Sequence, residues 1–274
     1  MVCDVGAVCD QKKDAAMKRS LLAGAASVLL IVGSHALAAD LPLKGPRVIP
    51  PFTWTSCYAG AHGGGGWARK DITDPVQLVQ DSILDASVTT GMTTARLSPS
   101  GYLIGGQFGC DYQPIGAPWV IGFEGSFSGG SLNGDKSLGL PLGDPGDLAR
   151  VSARLDFISS GTARIGLASD RWLLYFKGGV AGASDKYKVV GTFQGTPFDF
   201  EGEDIRIGWT AGGGVEWALF DNWSAKLEYD FYGFGTSSVQ LTDNSSGLSG
   251  PVQVKQSVQA VKLGLNFHIW SFDR

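Results

Sequence analysis

The sequence predicts an all-β chain, an eight-stranded antiparallel up-and-down barrel. Three observations predict it. Beyond residue 52, apolar residues recur with a period of two rather than 3.6. The alternating segments run to about 10–15 residues, against about 5–6 in ordinary sheets, and a tilted strand needs about 9–11 to cross a bilayer. The connections alternate between tight turns and long polar stretches. A soluble sandwich has no reason to do this, whereas a transmembrane β-barrel has short periplasmic turns and long outer loops.

Composition agrees. Charged residues make up 18% of the 274, below the ~25% of soluble domains. The 40 glycines show no G-x-y period, which excludes collagen, and the aromatic content of 11% excludes a disordered chain. Net charge is −4 with no basic block, so no nucleic-acid partner is expected.

Taken in order, Met17-Lys18-Arg19, the apolar run Leu21–Val32 and the box Ala36-Leu37-Ala38 read as a cleaved signal peptide over 17–38. Residues 1–16 carry acids ahead of its basic start and read as a start-site extension. Residues 39–52 hold Pro42, Pro46, Pro50 and Pro51 and read as an extended periplasmic leader. The barrel is expected over 53–270, with 271–274 as a tail. No other stretch is apolar for 18 residues, so no transmembrane helix is expected.

The eight strands are expected at 57–69, 101–113, 119–131, 156–168, 171–184, 204–219, 223–235 and 257–269. Tight turns fall at Pro114–Pro118, Ser169-Asp170 and Phe220–Asn222, and loops of roughly 20–30 residues join the other strands. An even strand number puts both barrel ends on the short-turn side.

One face carries five acids, Asp111, Glu124, Glu216, Glu228 and Asp230, and five bases, Arg164, Lys177, Arg206, Lys226 and Lys262. His62 and Gln107 share it. Each midplane Lys or Arg would cost about 2–4 kcal/mol against lipid. Ten such charges could exceed the ~5–15 kcal/mol stability of a domain, so this face must point inward. The equal count suggests mutually neutralising pairs. The other face is apolar. Trp119, Trp172, Trp217 and Trp223 fall at strand ends beside the short turns, and Trp67 and Trp209 fall near the long loops, as two aromatic girdles. Gly63–Gly66 and Gly212–Gly214 are read as relief of crowding in a narrow barrel. Neither run is followed by the Lys-Ser/Thr of a phosphate loop.

Cys57 and Cys110 are the cysteines beyond the signal peptide. Both fall on the outward face near the periplasmic ends of adjacent strands, and the compartment is oxidising, so a disulfide is expected. No C-x-x-C and no His/Cys cluster points to a metal, and no cofactor is expected. Asp71, Asp74, Asp81 and Asp85 in the first loop, with Asp199, Glu201, Glu203 and Asp204 in the third, form a weakly cation-tolerant acidic surface without EF-hand spacing.

Particular strings go further. TWTSCYAGAHGGGGW (Thr53–Trp67), GYLIGGQFGCDYQ (Gly101–Gln113), WVIGFEGSFS (Trp119–Ser128), the stretch Asp156–Ala181, GWTAGGGVEWALFDNWSAKLEYDFYGFG (Gly208–Gly235) and VKLGLNFHI (Val261–Ile269) resemble successive strands of small outer-membrane β-barrel proteins of alphaproteobacteria. Those proteins are known as outer-membrane immunogenic or porin-family proteins, with a fold like the OmpA transmembrane domain. The resemblance implies a place in the outer membrane among lipid and lipopolysaccharide, and delivery by the barrel-insertion machinery. Members end on an aromatic that this machinery reads. Here Ile269 stands at that position, and either Trp270 or Phe272 serves as the aromatic signal or insertion is less efficient.

The function expected is structural: envelope integrity and surface contact, with a host or surface ligand taken through the outer loops. An eight-stranded barrel is filled by its side chains, which leaves at most a narrow, ion-sized passage. Two alternatives stay open, a small outer-membrane pore and a lipid-modifying enzyme. The enzyme needs a nucleophile within reach of a base. Of the mature histidines, His62 faces the interior and His268 lies at the periplasmic end, with no obvious Ser partner at the outer rim.

Overall fold

In the computed structural model, residues 52–73, 94–139, 146–220, 222–244, 247 and 249–271 are described. The expected extension, signal peptide and nearly all of the leader lie outside these residues, as do Asp74, Asp81, Asp85 and Phe272.

The described chain is all β: β1 (Ser56–Thr73), β2 (Thr94–Leu97), β3 (Ser100–Tyr112), β4 (Trp119–Gly139), β5 (Leu148–Ser169), β6 (Trp172–Phe193), β7 (Thr196–Phe220), β8 (Trp223–Asp243) and β9 (Ser249–Ser271). Neighbours pair antiparallel in the order β2-β1-β3-β4-β5-β6-β7-β8-β9, and β1 pairs β9 to close a ring of eight. Ser56 pairs with Ser271, so both ends of the ring lie on the short-turn side.

There are nine strands rather than eight because of a proline. β2 continues the line of β3 along β1, with Lys70 opposite Leu97 and Trp67 opposite Ser100. Between them stands Pro99, which has no N–H to give to a ladder. Its carbonyl accepts from the Ala68 N–H at 2.7 Å instead.

The long polar loops are a second correction. β6 and β7 meet across only Gln194-Gly195, both at positive φ. β4–β5 and β8–β9 also run on as paired hairpins well past the expected strand ends. These hairpins continue the barrel outward, and they alternate with the opposite chemistry. Val151, Ala153, Tyr187, Val189, Phe198, Phe200, Val239, Leu241, Val252 and Val254 pack inside. Arg150, Arg154, Lys186, Glu201 and Glu203 face out. Outward charge and inward β-branched or aromatic residues is the pattern of a barrel surrounded by water. The strand bounds expected from sequence stop where the chemistry inverts, not where the ladder stops.

Several ladders also slip at that level. β5 holds one extra residue, Asp156, between Leu155 and Phe157, and its inward positions pass from Ile158 to Leu155. β8 holds Phe234 as an extra residue, next to Gly235 at φ 67°. That left-handed conformation suits glycine, as bulges commonly require.

Candidate functional site

Seen from the short-turn end, the lumen is filled layer upon layer. Trp54, Val120, Leu173, Tyr175 and Ala218 form the first apolar layer. Trp54 enters from the chain just before β1, with its backbone N–H donating to Gln113 Oε1 at 2.9 Å.

The charged layer lies above it. All ten charged positions singled out in the sequence are buried, but they do not form one set. Arg164 forks onto Asp111 with both Nε and Nη2, and its Nη1 reaches Glu216 at 3.2 Å. Its guanidinium lies over the rings of Tyr58 and Tyr175, 4.9 Å from each centroid. Glu124 receives Lys177 at 3.0 Å, Lys226 at 2.7 Å and the Tyr58 hydroxyl at 2.9 Å. Glu228 receives Lys177, Lys262, Lys226 and the Tyr175 hydroxyl between 2.7 and 3.2 Å. Asp230 takes Lys262 at 2.5 Å and Lys177 at 3.2 Å.

Arg206 is absent from this layer. It sits higher, against Asp204 at 2.8 Å and Asp185 at 3.6 Å. There Lys70 also meets Asp185 at 2.6 Å, and Tyr187 and Gln256 complete the group. The expected five-and-five balance therefore resolves into four bases against five acids below and two against two above. Lys70 and Asp185 escaped the sequence reading because the expected strands ended at 69 and 184. Their parity marks them as inward, since Lys70 follows Ala68 by two and Asp185 follows Ala183 by two.

Between the two ionic layers lies a further apolar one, with Leu103, Leu132, Leu155, Ile158, Tyr232, Phe234 and Val258. The hairpins' apolar interior closes the outer end.

Neutral polar groups line the same column. Gln107 Nε2 donates to Asn266 Oδ1, and Asn266 Nδ2 donates to Glu216, each at 2.7 Å. His62 is held from both sides, its Nδ1 2.5 Å from Gln107 Oε1 and its Nε2 2.8 Å from Ser128 Oγ. His268 lies between Ser56 and Ser224 at 2.7 and 2.9 Å. Both histidines thus have serine partners, which the sequence could not show because each pair bridges separate strands. The three serines are themselves buried.

The barrel is narrow enough that backbone sets some residue choices. A Cβ on inward Gly64 would stand 2.0 Å from the Val261 carbonyl, whereas one on outward Gly63 would meet nothing closer than 4.0 Å. Crowding therefore explains only the inward members of the glycine run.

The outside is the reverse of the inside. From Tyr102, Ile104 and Phe108 on β3 to Leu263, Leu265 and Phe267 on β9, large apolar side chains are exposed around the ring. Water would not tolerate so continuous an apolar band. Trp119, Trp172, Trp217 and Trp223 face outward at the short-turn end, with Trp172 stacked on Trp217 at 5.4 Å. Trp67 and Trp209 also face outward, but mid-strand rather than at a strand end. Trp209 and Trp217 are eight residues apart, about 20 Å of height on a strand tilted by about 40°. Cys57 and Cys110 are register partners on the same outer face and form a disulfide.

The third-loop acids do not form a bare acidic surface. Asp199 and Glu201 meet Lys188, Glu203 meets Lys186, and Asp204 meets Arg206. Asp71 meets Arg96. Among the described residues no cluster of three or more His, Cys, Asp or Glu side chains could hold a metal.

A closed ring of eight strands, apolar outside and charged inside, defines a protein that crosses a membrane as a barrel. The chain belongs to the outer membrane protein beta-barrel domain family, whose model matches residues 25–268. It is an outer-membrane β-barrel protein. It is similar to the 31 kDa outer-membrane immunogenic protein of Brucella melitensis, at 25% identity over 88% of this chain and 97% of that one. The 25 kDa outer-membrane immunogenic protein of Brucella abortus is 23% identical over 88% and 94%. Among solved structures, Ail of Yersinia pestis aligns over 77% of this chain and 99% of its own, at 12% identity and a TM-score of 0.34. The outer membrane protease OmpT of Escherichia coli aligns over 80% and 98%, at 11% and 0.41.

Proposed function

We propose that this protein is a structural, surface-exposed barrel that contributes to envelope integrity and presents its outer hairpins for contact. The observation that carries this reading is the filled lumen. Three apolar layers and two ionic layers occupy it from Trp54 to Phe193. The charges inside are structural: each is buried and meets an opposite charge. The barrel takes its place among outer-membrane lipids, lipopolysaccharide included, after delivery by the barrel-insertion machinery. The reading is non-enzymatic, because Ser56, Ser128 and Ser224, the serines within reach of a histidine, are all buried. The outward Trp bands mark the two lipid interfaces. Planar-bilayer recording on the folded chain tests the reading. No conductance steps are expected, and steady ion-sized steps would replace it with the pore alternative.

A further inference from the structure

The β7–β8 ladder lapses in the middle of both strands. Register pairs reach Trp209 with Gly233 and resume at Glu201 with Thr242, and none joins the strands between. Over that interval β7 stays paired to β6, with Arg206 opposite Ala183 and Asp204 opposite Asp185. β8 stays paired to β9, with Ser237 opposite Val254. Each strand is thus held from its other side, while Gly202–Gly208 and Phe234–Leu241 flank a seam without a ladder. Backbone N–H and C=O groups on such an edge need partners, and where no strand supplies them water does.

The side chains along the seam are small. β8 brings Gly235, Thr236, Ser237 and Ser238, of which Ser237 shares the inward parity of Val239. On the β7 side Ile205 and Ile207 are 83% and 82% exposed, the highest values among the apolar strand residues described, as expected beside so small a neighbour.

The groups behind the seam are the least satisfied in the barrel. Eight buried side-chain N and O atoms among the described residues have no hydrogen-bond partner, and four of them are here: Arg206 Nε and Nη2, Asp185 Oδ2 and Asp204 Oδ2. Arg206 lies close to both acids, but proximity without alignment leaves these donors and acceptors open. Its Nη1 donates at 2.9 Å to the carbonyl of Val254, the register partner of Ser237. The guanidinium therefore lies against the β8–β9 wall, beside the seam. Lys70 and Arg206 balance Asp185 and Asp204 in charge, so what completes the group is neutral, and it must both donate and accept. Water does both. The axis of the barrel gives it no route, because apolar layers close the column below at Leu155, Tyr232 and Phe234 and above at Phe200 and Val254.

We propose that the β7–β8 seam is a side door through which water, entering just above the outer Trp band, hydrates Arg206, Asp185 and Asp204. The outer part of the lumen is then a polar compartment that opens sideways rather than a length of through-passage. The proposal goes beyond the structural reading of the barrel. Both ends of the lumen stay shut, so the expected absence of conductance holds whether or not the door exists.

Solution NMR of the full chain in detergent micelles tests it, through exchange of the arginine Nε–H protons with water. Arg164 and Arg206 are buried alike, each with 1% of its side chain exposed. The Arg206 proton is expected to exchange about tenfold or more faster than that of Arg164, the factor that one unmade hydrogen bond is worth. Equal rates overturn the door. Ser237→Leu, which covers the seam from inside with an apolar side chain, should return the Arg206 rate to that of Arg164 and leave Arg164 unchanged. Fast exchange at Arg206 that survives this substitution overturns the route. Backbone amides give a reading that needs no variant. Successive N–H groups of β7 turn to β6 and β8 alternately, so in Gly202–Gly208 those facing β8 should exchange faster than those facing β6. Equal rates there would mean that the whole hairpin opens, and the seam would fall. A heat-dependent gel shift reports folding separately, and its loss in the unaltered chain would break the barrel reading instead.

Discussion

The same eight strands build two regions with opposite chemistry. Between the Trp bands, apolar residues point out and Arg164, Lys177, Glu124 and Glu228 point in. Above Ile205, Phe198, Phe200 and Val254 point in and Lys186, Lys188 and Glu203 point out. The backbone runs through both without a break on β6, β7 and β9. What changes is the surrounding solvent. Against lipid, the outside must be apolar, and the inside can be polar if every group finds a partner. Against water, burial of apolar side chains again stabilises the fold. The membrane region is therefore held by paired charges and the outer region by an ordinary apolar core. The two should fail in different ways.

The largest effect should come from breaking the membrane region's pairing. Glu228 meets Lys177, Lys226 and Lys262 together. Glu228→Leu would leave buried ammonium groups short of an acceptor, at about 3–5 kcal/mol. Urea unfolding in micelles should show the loss, and an unshifted midpoint would count against a paired interior. Phe200→Ala would open a cavity among Phe198, Val239 and Leu241, worth about 3 kcal/mol. Because the outer region has its own core, the cost should appear locally. The hairpins should become sensitive to protease while the gel shift of the membrane region persists. Simultaneous loss of both would mean that the two regions are one cooperative unit.

Removing the disulfide tests the boundary at the other end. Cys57 and Cys110 are 53 residues apart in sequence, and Cys110→Ser should cost about 2–4 kcal/mol, the upper end being the loop-closure value. Reducing the unaltered chain should lower its midpoint equally, and a reductant effect that persists in the variant would rule the bond out as its source.

The smallest effect is expected at the outer surface. Hydrogen bonds to Glu201 and Asp199 hold the Lys188 ammonium above its ordinary range, and the hydrogen bond from Lys188 holds the Glu201 carboxyl below its own. The lysine's contribution is complete below its unfolded pKa and is lost as pH rises through the folded one. The glutamate's is complete above its unfolded pKa and is lost as pH falls through the folded one. Both groups are exposed and screened, so hairpin protection should stay flat between about pH 5 and pH 10. A marked change in hydrogen exchange inside that window would show that the pair matters more than its exposure allows.

The sequence by itself determined the ring of eight, the tight turns, the side on which the ten singled-out charges fall and the cysteine pairing. The side of the charges follows from parity, because a strand side chain can point only two ways and lipid forbids one of them to an ion. Tertiary structure decided the rest. The outer hairpins looked like loops because inversion of the alternation and loss of alternation look alike in one dimension. The bulges at Asp156 and Phe234 shift parity within a strand and deepen that confusion. Parity could place Arg206 inside but could not say that it sits with Lys70 and Asp185 rather than with Glu228. Height along the barrel depends on strand tilt and register, which exist only once the ring has closed. The serine partners of His62 and His268 come from other strands and meet them only across the closed lumen.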